Sequence, residues 1–402
     1  MSDDTTGAPQ RPKVEVPRWK VPAAPGPTVP PATSREYREA CLSGYGVRRG
    51  DQNDPLRYMT GAAYSVEGDL IAASQRSGAH RGDYVRAVDP PRQAGGHTAR
   101  RLRGRWLYGG HWMGHFGHFL TETLTTLWPE ERDVDGLVFH RFLSSDAVEE
   151  WQTALLHAVG WDVPVRVITQ PWVVESLIVP SRPLVLNLSA GPEAVRVWER
   201  ARASVAAPAD PTPVFWSRSR LAEDPRRVLG DERLDEVMRD LGFKVLHPQE
   251  MSVQEQLAVV AGTDLIAGVS GSALHLSAFA PASTRVLEIA DDRSTKAALF
   301  TQHAIDAAIG RESALVPLVL SEDGRRDLDA TASAVARLLE PDGPEPVALL
   351  ELDAADLTEP DDPGAPHLPR REGSDATDVA EQGAPVTVES APETIGQPEN
   401  DV

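Results

Sequence analysis

The side chains best placed to do chemistry lie in one glycine-rich segment, residues 108–128. Three histidines stand there among four glycines, namely His111, His115 and His118. His118 begins a predicted helix, on which Glu122, four residues later, lies on the same face. A carboxylate or a histidine in this group can take a proton from a reacting hydroxyl, so Glu122, His118 and His115 are the catalytic candidates. A buried His–Glu hydrogen bond that only braces the loop is the alternative.

A second candidate site follows a buried strand predicted over residues 264–269. Gly271 allows the backbone to turn tightly and to approach a ligand closely. The free N–H groups at the start of the next helix, near Ala273, suit a diphosphate, and Ser270 and Ser272 add hydroxyl donors. A tight turn whose small residues serve only packing is the alternative.

Three further segments border the same predicted sheet edge. Arg218 and Arg220 end a strand, and an arginine fork matches phosphate oxygens. Glu288 ends another strand, where its carboxylate can accept hydrogen bonds from ribose hydroxyls. Pro248 follows a third strand together with His247 and can pack against a nucleobase. The alternatives are solvated arginines, and a helix cap or a salt bridge for Glu288.

Strand-like and helix-like stretches alternate through the interior of the chain. This alternation predicts an α/β fold with parallel sheets joined by right-handed crossovers. The pattern restarts near residue 207, which predicts two Rossmann-like domains facing a cleft, over residues 36–206 and 207–335. A proline-rich arm over residues 1–35 and an acidic tail over residues 336–402 are predicted to be disordered, because they bury too little apolar surface.

The acidity of the chain is concentrated in its tail. The formal net charge is −20, and the last 62 residues alone carry 16 acidic and two basic side chains. The remainder is mildly acidic and lacks the basic stripe that a general nucleic-acid binder needs. The single cysteine, Cys41, allows no intramolecular disulfide. Because neither a membrane-spanning apolar run nor a secretion signal is visible, a cytoplasmic protein without an integral membrane segment is expected.

Five short motifs, in a fixed order along the chain, resemble the pattern of glycosyltransferase family 61. That pattern has a histidine and an acidic residue in a helix, a Ser-Arg strand end, a proline with a downstream Glu-Gln, a Gly-x-x-Gly-[Ala/Ser]-x-Leu turn and a last strand with glutamate. The matching residues are His118 with Glu122, Ser217 with Arg218, Pro248 with Glu255 and Gln256, residues 268–274, and Glu288. The resemblance extends over residues 60–310 and is to bacterial members of the capsular polysaccharide biosynthesis type.

The resemblance implies a GT-B-like fold and an inverting transfer of a hexose or pentose from a nucleotide-sugar donor to a glycan or polysaccharide acceptor. It implies no cofactor and no essential metal. Residues 36–206 would bind the acceptor and residues 207–335 the donor, with Glu122 as the base and His118 supporting it. The implied donor-binding set includes two departures from the family pattern, Ser270 and His275. The full set is Arg218, Pro248, Ser270, Gly271, Ser272, Ala273, Leu274, His275 and Glu288.

Two other functions are compatible with the sequence. The three histidines with Glu122 are typical zinc ligands and would make a metal-dependent hydrolase, although no HExxH signature is present. A non-catalytic GT-B-like scaffold that binds partners through its tails is the second. Asp133-Val134-Asp135 has the form of the metal motif of GT-A transferases, but it precedes a predicted strand rather than following one. It is therefore interpreted as a charged loop.

Overall fold

The computed structural model describes residues 17–24, 28–49, 57–76, 100–142, 147–186, 188–208, 211–221, 231–291 and 298–340. All the elements below lie in one unit of the chain, residues 1–362. The predicted acidic tail from residue 341 onward, and the first 16 residues of the predicted arm, lie outside the described residues.

The first half of the chain forms a six-stranded sheet. Its order from edge to edge is Ala63–Tyr64, Ser34–Leu42, Trp172–Pro180, Arg100–Met113, Gly136–Phe142 and Val165–Ile168. The last four strands run parallel, as predicted, but Ser34–Leu42 is antiparallel to both of its neighbours. The prediction of a wholly parallel first sheet is wrong at this strand. A parallel neighbour requires a long crossover, usually a helix, and the described residues between Ser34–Leu42 and its neighbour Ala63–Tyr64 contain no α-helix.

Two α-helices follow where the sequence predicts them in the first half. Glu150–Ala158 begins at a capping box between Glu149 and Gln152. Pro192–Ala203 has proline in its first turn. Proline lacks a backbone N–H, and N–H groups in the first turn of a helix have no partner within the helix, so no hydrogen bond is lost there. Two short antiparallel strand pairs complete this half, namely Gly46–Arg49 with Arg57–Thr60 and Leu184–Val185 with Ser189–Ala190.

The second half forms a five-stranded sheet that is parallel throughout, as predicted. Its order is Lys244–Leu246, Val214–Trp216, Leu265–Val269, Arg285–Ile289 and Ser313–Val316. The order reverses between Val214–Trp216 and Leu265–Val269, and ligands of open α/β sheets bind beyond the carboxyl ends of the strands at such a reversal. The helices are Leu234–Asp240, Val253–Ala261, Phe300–Ile309 and Leu328–Leu339. Within the described ranges, no helix is long and apolar enough to cross a membrane.

The two halves share one hydrophobic cluster. Phe119 and Trp198 of the first half belong to the same buried cluster as Leu257 and Phe279 of the second. The guanidinium of Arg202 also reaches across and donates to the carbonyl of Ala280, 3.2 Å away. Helices between the two sheets therefore form a common apolar layer, which fixes the first half against the second.

Part of the predicted disordered arm packs against the second sheet. Lys20 pairs with Ser313 of the edge strand through two backbone hydrogen bonds, of 3.0 and 2.8 Å. The indole N–H of Trp19 donates to the carbonyl of Leu338 at 2.9 Å, and the guanidinium of Arg285 lies over the indole ring. The prediction of disorder misses this contact because one tryptophan and one strand edge supply the burial that composition alone does not reveal.

We expect Trp19→Ala to lower the free energy of unfolding by roughly 2–4 kcal/mol, through lost apolar burial, cation–π attraction and a hydrogen bond. Urea unfolding followed by circular dichroism measures the change. Trp19→Phe, which keeps a ring under Arg285, should lose less. An unchanged unfolding midpoint for Trp19→Ala would show that the arm contributes nothing to the stability of this edge.

Candidate active site

The helical segment 116–127 carries the first candidate site, and it is not the uniform α-helix that the sequence predicts. A short α-helical turn, Phe116–His118, passes into a π-helical turn, Phe119–Thr123, and then into a 3₁₀ turn, Thr125–Leu127. Threonine hydroxyls that bond back to carbonyls one turn earlier, such as Thr126 to Glu122 at 2.8 Å, favour this distortion. Single π turns inside helices occur frequently at functional sites.

Glu122 is held inside the protein by two partners. Its carboxylate accepts a bidentate pair of hydrogen bonds from Arg76, of 2.5 and 2.8 Å, and both side chains are about 95% buried. The Nδ1 atom of His118 lies 2.7 Å from Glu122 Oε1. Burial by itself raises the pKa of Glu122, but the charge and hydrogen bonds of Arg76 and the bond to His118 outweigh it. The pKa of Glu122 is therefore held well below its ordinary value, which makes this carboxylate a weak base.

His118 is the member of this pair that solvent reaches, because 23% of its side chain is exposed. An ionised carboxylate has no proton to give, so the proton in the contact between the two residues belongs to Nδ1 of His118. In the neutral ring the lone pair is then on Nε2. In this arrangement the buried carboxylate of Glu122 orients the imidazole of His118, as a carboxylate orients the base in catalytic triads.

His111, the first of the three predicted histidines, belongs to a separate buried network. Its Nε2 lies 3.2 Å from the carbonyl of Gly61, and its Nδ1 lies 3.0 Å from the guanidinium of Arg182. His140 stacks on it and is bonded to Tyr108 and to the carbonyl of Ser43. Burial lowers the pKa of His140 to about 4, and burial followed by the charge of Arg182 holds that of His111 well below its ordinary value. Both rings are therefore neutral at neutral pH, and the nitrogens of both are engaged in hydrogen bonds.

The metal-dependent hydrolase alternative gains no support from this geometry. Both nitrogens of His111 are occupied by hydrogen bonds, so the predicted three-histidine cluster is divided. Among the described residues, no group of three or more potential ligands is placed to hold a metal ion. Asp135 accepts the N–H of Arg105 at 2.7 Å in the loop before Gly136–Phe142, as expected for a charged loop.

The first candidate site touches the second through residues 115–118. The Nε2 atom of His115 lies 3.5 Å from Ser272 Oγ, and the rings of His115 and His118 meet edge to face with centroids 5.3 Å apart. A Cβ added to Gly117 would lie 3.0 Å from both Ser272 Oγ and the Cδ2 atom of His275. Glycine at this position is what allows the helix start to approach the turn of the second half so closely.

The turn at Gly271 offers backbone donors. Gly271 has a φ of +150°, which favours glycine, and within the described part of the chain the N–H groups of residues 271–273 make no backbone hydrogen bond. The helix that follows, Leu274–Phe279, is a six-residue 3₁₀ helix rather than the predicted α-helix, so its dipole adds little. Leu274 is fully buried in the apolar core, so only its backbone faces the turn.

Arg218 lies beside this turn, as the parallel sheet predicts. Its Nη1 donates to the carbonyl of Ser270 at 2.9 Å, and Asp291 lies 3.9 Å away. A small pocket opens here, at the reversal of strand order, and it is lined by Phe215, Ser217, Arg218, Ser219, Asp231, Leu234, Asp235 and Val269. Arg220 points elsewhere and forms an exposed ion pair with Glu250. Of the two predicted phosphate-binding arginines, Arg218 therefore lies at the Gly271 turn and Arg220 lies on the surface.

Glu288 and Pro248 occupy the same carboxyl edge in different settings. Glu288 is 2% exposed and accepts hydrogen bonds from Ser270 Oγ at 2.6 Å and from the N–H of Leu299 at 3.1 Å. Burial raises its pKa to about 8, so at neutral pH it is mostly protonated. The carbonyl of Pro248 accepts a hydrogen bond from Gln256, and Glu255 forms the predicted capping box with Ser252. Of the downstream Glu-Gln pair, Glu255 thus caps the helix and Gln256 fixes the Pro248 loop.

Sequence reasoning missed the residues that hold the candidates in place. Arg76 fixes Glu122, and Gln302 bonds to the ring of His275 at 3.0 Å. Arg76 is 46 residues from Glu122 and Gln302 is 27 residues from His275, so no local spacing pattern marks either pair. A buried polar residue without a partner nearby in sequence is the general signal that such a contact must exist.

Residues 116–287 match the model of a family described as Glycosyltransferase 61. This match supports the assignment of the chain to glycosyltransferase family 61. It begins at the 116–127 segment and ends within the strand Arg285–Ile289, so it includes His118, Glu122, Arg218 and the Gly271 turn. No curated protein matches the chain. The match therefore supports a glycosyltransferase activity, which has a sugar donor and an acceptor as substrates.

Proposed function

We propose that this protein is an inverting glycosyltransferase that moves a hexose or pentose from a nucleotide sugar to a hydroxyl of a glycan or polysaccharide acceptor. One observation carries the proposal. His115 and Gly117 bring the His118–Glu122 pair against the Gly271 turn, so a proton acceptor and a set of anion donors lie side by side. Transfer from a diphosphate leaving group needs both of these at one place.

The roles of Glu122 and His118 in this proposal are the reverse of those expected from the sequence. Glu122 is buried, ionised and paired with Arg76, so it orients the imidazole. His118 takes the proton of the acceptor hydroxyl at Nε2, and the acceptor oxygen attacks the anomeric carbon. The bond between that carbon and the diphosphate oxygen breaks with inversion, and the electron pair leaves with the nucleoside diphosphate. The cost of forming an imidazolium is reduced by the adjacent carboxylate.

The departing diphosphate is stabilised from the second half of the chain. The N–H groups of residues 271–273 and the hydroxyl of Ser272 belong to one turn, and the charge of Arg218 lies beside it. We propose that these groups, rather than a metal ion, balance the charge of the leaving group. Residues 36–206 would then serve the acceptor and residues 207–335 the donor, as in a GT-B enzyme of the capsular polysaccharide type that acts in the cytoplasm.

We expect Arg218→Ala to weaken nucleoside diphosphate binding on the order of tenfold or more, because a charge-assisted hydrogen bond contributes about 1.5–3 kcal/mol. A thermal-shift screen of nucleoside diphosphates and their sugars first identifies the ligand that stabilises the wild-type protein, by mass action. Titration calorimetry with that ligand then compares the variants.

Arg220→Ala is the matched control, since Arg220 lies two residues away and pairs with Glu250 on the surface. Its affinity should stay at the wild-type value. If no nucleoside diphosphate stabilises the wild-type protein, the proposed donor site is wrong. Equal weakening in both variants would mean that net charge, and not the position of Arg218, governs binding.

A further inference from the structure

Arg182 is a half-buried cation without an anionic partner, at the carboxyl edge of the first sheet. It lies two residues after the strand Trp172–Pro180, and α/β sheets bind their ligands beyond this end of their parallel strands. Among the described residues, no carboxylate lies within 4.0 Å of its guanidinium. Because charges removed from water are costly unless they are paired, this position calls for an anion that comes from outside the chain.

The guanidinium of Arg182 is held in one orientation. Its Nη2 atom donates to Nδ1 of His111, 3.0 Å away, and to the carbonyl of Ser74 at 3.4 Å. Arginine is only a donor, so Nδ1 is the unprotonated nitrogen of the neutral His111 ring. Gly110, which has a φ of +83°, leaves room for this contact, because an added Cβ would lie 2.6 Å from Nη2 and 3.0 Å from Nη1 of Arg182.

The other nitrogens of Arg182 are left for a ligand. Within the described part of the chain, neither Nε nor Nη1 makes a hydrogen bond. Nε is buried, whereas Nη1 is not among the buried unpaired atoms, so solvent reaches Nη1. Nη1 therefore offers two charged N–H groups, which match the oxygens of a carboxylate or a phosphate.

Two contacts join Arg182 to the His118–Glu122 pair. Arg182 donates to His111, and the carbonyl of His111 accepts a hydrogen bond of 2.9 Å from Thr123, the residue that follows Glu122. Burial lowers the pKa of Arg182, and the nearby negative charge of Glu122 opposes this shift. The unpaired cation therefore lies beside the proposed base and not at a remote part of the sheet.

The charges around this position do not balance among the residues that the structure describes. The charge of Glu122 is matched by Arg76, with which it forms the bidentate pair. His111 and His140 are neutral, because burial lowers the pKa of both rings. Arg182 thus leaves one net positive charge next to the proposed base, and a negatively charged substrate group would neutralise it.

We propose that the acceptor is an acidic glycan, whose carboxylate or phosphate pairs with Nη1 of Arg182 while its reacting hydroxyl faces His118. The inference rests on the proposed function and names the class of acceptor. The proposed contacts of the donor diphosphate, Arg218 and the Gly271 turn, lie in the second half of the chain. The anion at Arg182, in the first half, is therefore assigned to the other substrate.

Titration calorimetry of the full-length protein with glucuronate, glucose 6-phosphate and glucose tests this proposal. The donor site is first saturated with the nucleoside diphosphate that the thermal-shift screen identifies, so that the Gly271 turn does not bind the probes. At least one of the two acids should bind on the order of tenfold more tightly than glucose. Tighter binding of glucuronate would identify a carboxylate as the anion, and tighter binding of glucose 6-phosphate would identify a phosphate.

Arg182→Gln, which keeps a donor for His111 but removes the charge, should abolish the preference for the acid, and Arg182→Lys should restore part of it. Arg196→Met is the matched control and should keep the full preference, since Arg196 is 54% exposed and pairs with Glu193. The affinity for the nucleoside diphosphate should be unchanged in all three variants.

Three results would overturn the acidic acceptor while leaving the donor site intact. They are equal binding of the acids and glucose by the wild-type protein, no binding of either acid, and a preference that survives in Arg182→Gln. Weaker nucleoside diphosphate binding by Arg182→Gln would instead place Arg182 in the donor site, which also overturns the proposal. If no nucleoside diphosphate binds to the wild-type protein, the proposed function itself is wrong, and the acidic acceptor is excluded with it.

Discussion

Replacing His118 by asparagine should lower the rate of sugar transfer by roughly 10²–10⁴-fold, the range that general acid–base groups contribute. The donor should still bind with near wild-type affinity, because the proposed diphosphate contacts lie in residues 218 and 270–275. Asparagine keeps a polar side chain beside Glu122 but has no basic nitrogen. Turnover of the donor identified by the thermal-shift screen, together with its dissociation constant, separates the two effects.

His157→Asn is the matched control for this substitution. His157 lies at the surface, with 53% of its side chain exposed and Asp162 as a partner. It should transfer sugar at the wild-type rate. Full turnover by His118→Asn would exclude His118 as the base and would return that role to another group, whereas loss of donor affinity would mean that the site had collapsed.

Replacing Arg76 by alanine should lower the free energy of unfolding by about 3–5 kcal/mol, because it leaves the carboxylate of Glu122 buried without its cation. Arg76→Met/Glu122→Gln, which removes both charges, should recover a large part of this loss. Urea unfolding of Arg76→Met, Glu122→Gln and the double variant gives the coupling free energy.

The pH dependence of stability gives a second test of the same contact. In the wild-type protein the pKa of Glu122 is lowered from its ordinary value of 4.5, so the ion pair stabilises the fold above about pH 4.5 and is lost as the pH falls toward the folded-state pKa. Without Arg76, burial raises the pKa instead, and stability should then decrease as the pH rises above about 4.5. The slope of stability against pH is therefore positive below about pH 4.5 in the wild-type protein and negative above it in the Arg76→Ala variant.

The exposed pair of Arg220 and Glu250 is the control for both measurements. The two side chains are 58% and 48% exposed, so Arg220→Ala should change stability by less than about 1 kcal/mol at any pH. A change of similar size for Arg76→Ala would mean that Glu122 is protonated in the native state, and the orienting role of its carboxylate would be excluded.

Local patterns in the sequence were sufficient for the elements that depend on neighbours along the chain. Alternating strands and helices predicted the parallel second sheet, and the spacing of Ser252 and Glu255 predicted the capping box that the structure contains. The four-residue spacing of His118 and Glu122 predicted their contact, which the structure shows at 2.7 Å. These features follow from helical and strand periodicity, which any stretch of sequence displays directly.

Contacts between distant segments produced features that local patterns did not predict, and they changed the expected role of Glu122. The antiparallel strand Ser34–Leu42 and the docking of Trp19 depend on neighbours far along the chain, which periodicity does not encode. The pairing with Arg76 turns Glu122 from an expected base into an ionised, weakly basic carboxylate.

The sequence by itself determined which side chains stand in each segment, including the proposed base and the proposed diphosphate contacts, and on which elements they lie. Tertiary structure decided which of them meet, since Gly117 brings the 116–127 segment within contact of Ser272 and His275. It also decided their protonation. The pKa of a buried group depends on burial and on charges from any part of the chain, and Arg76 and Gln302 reach their partners only after folding.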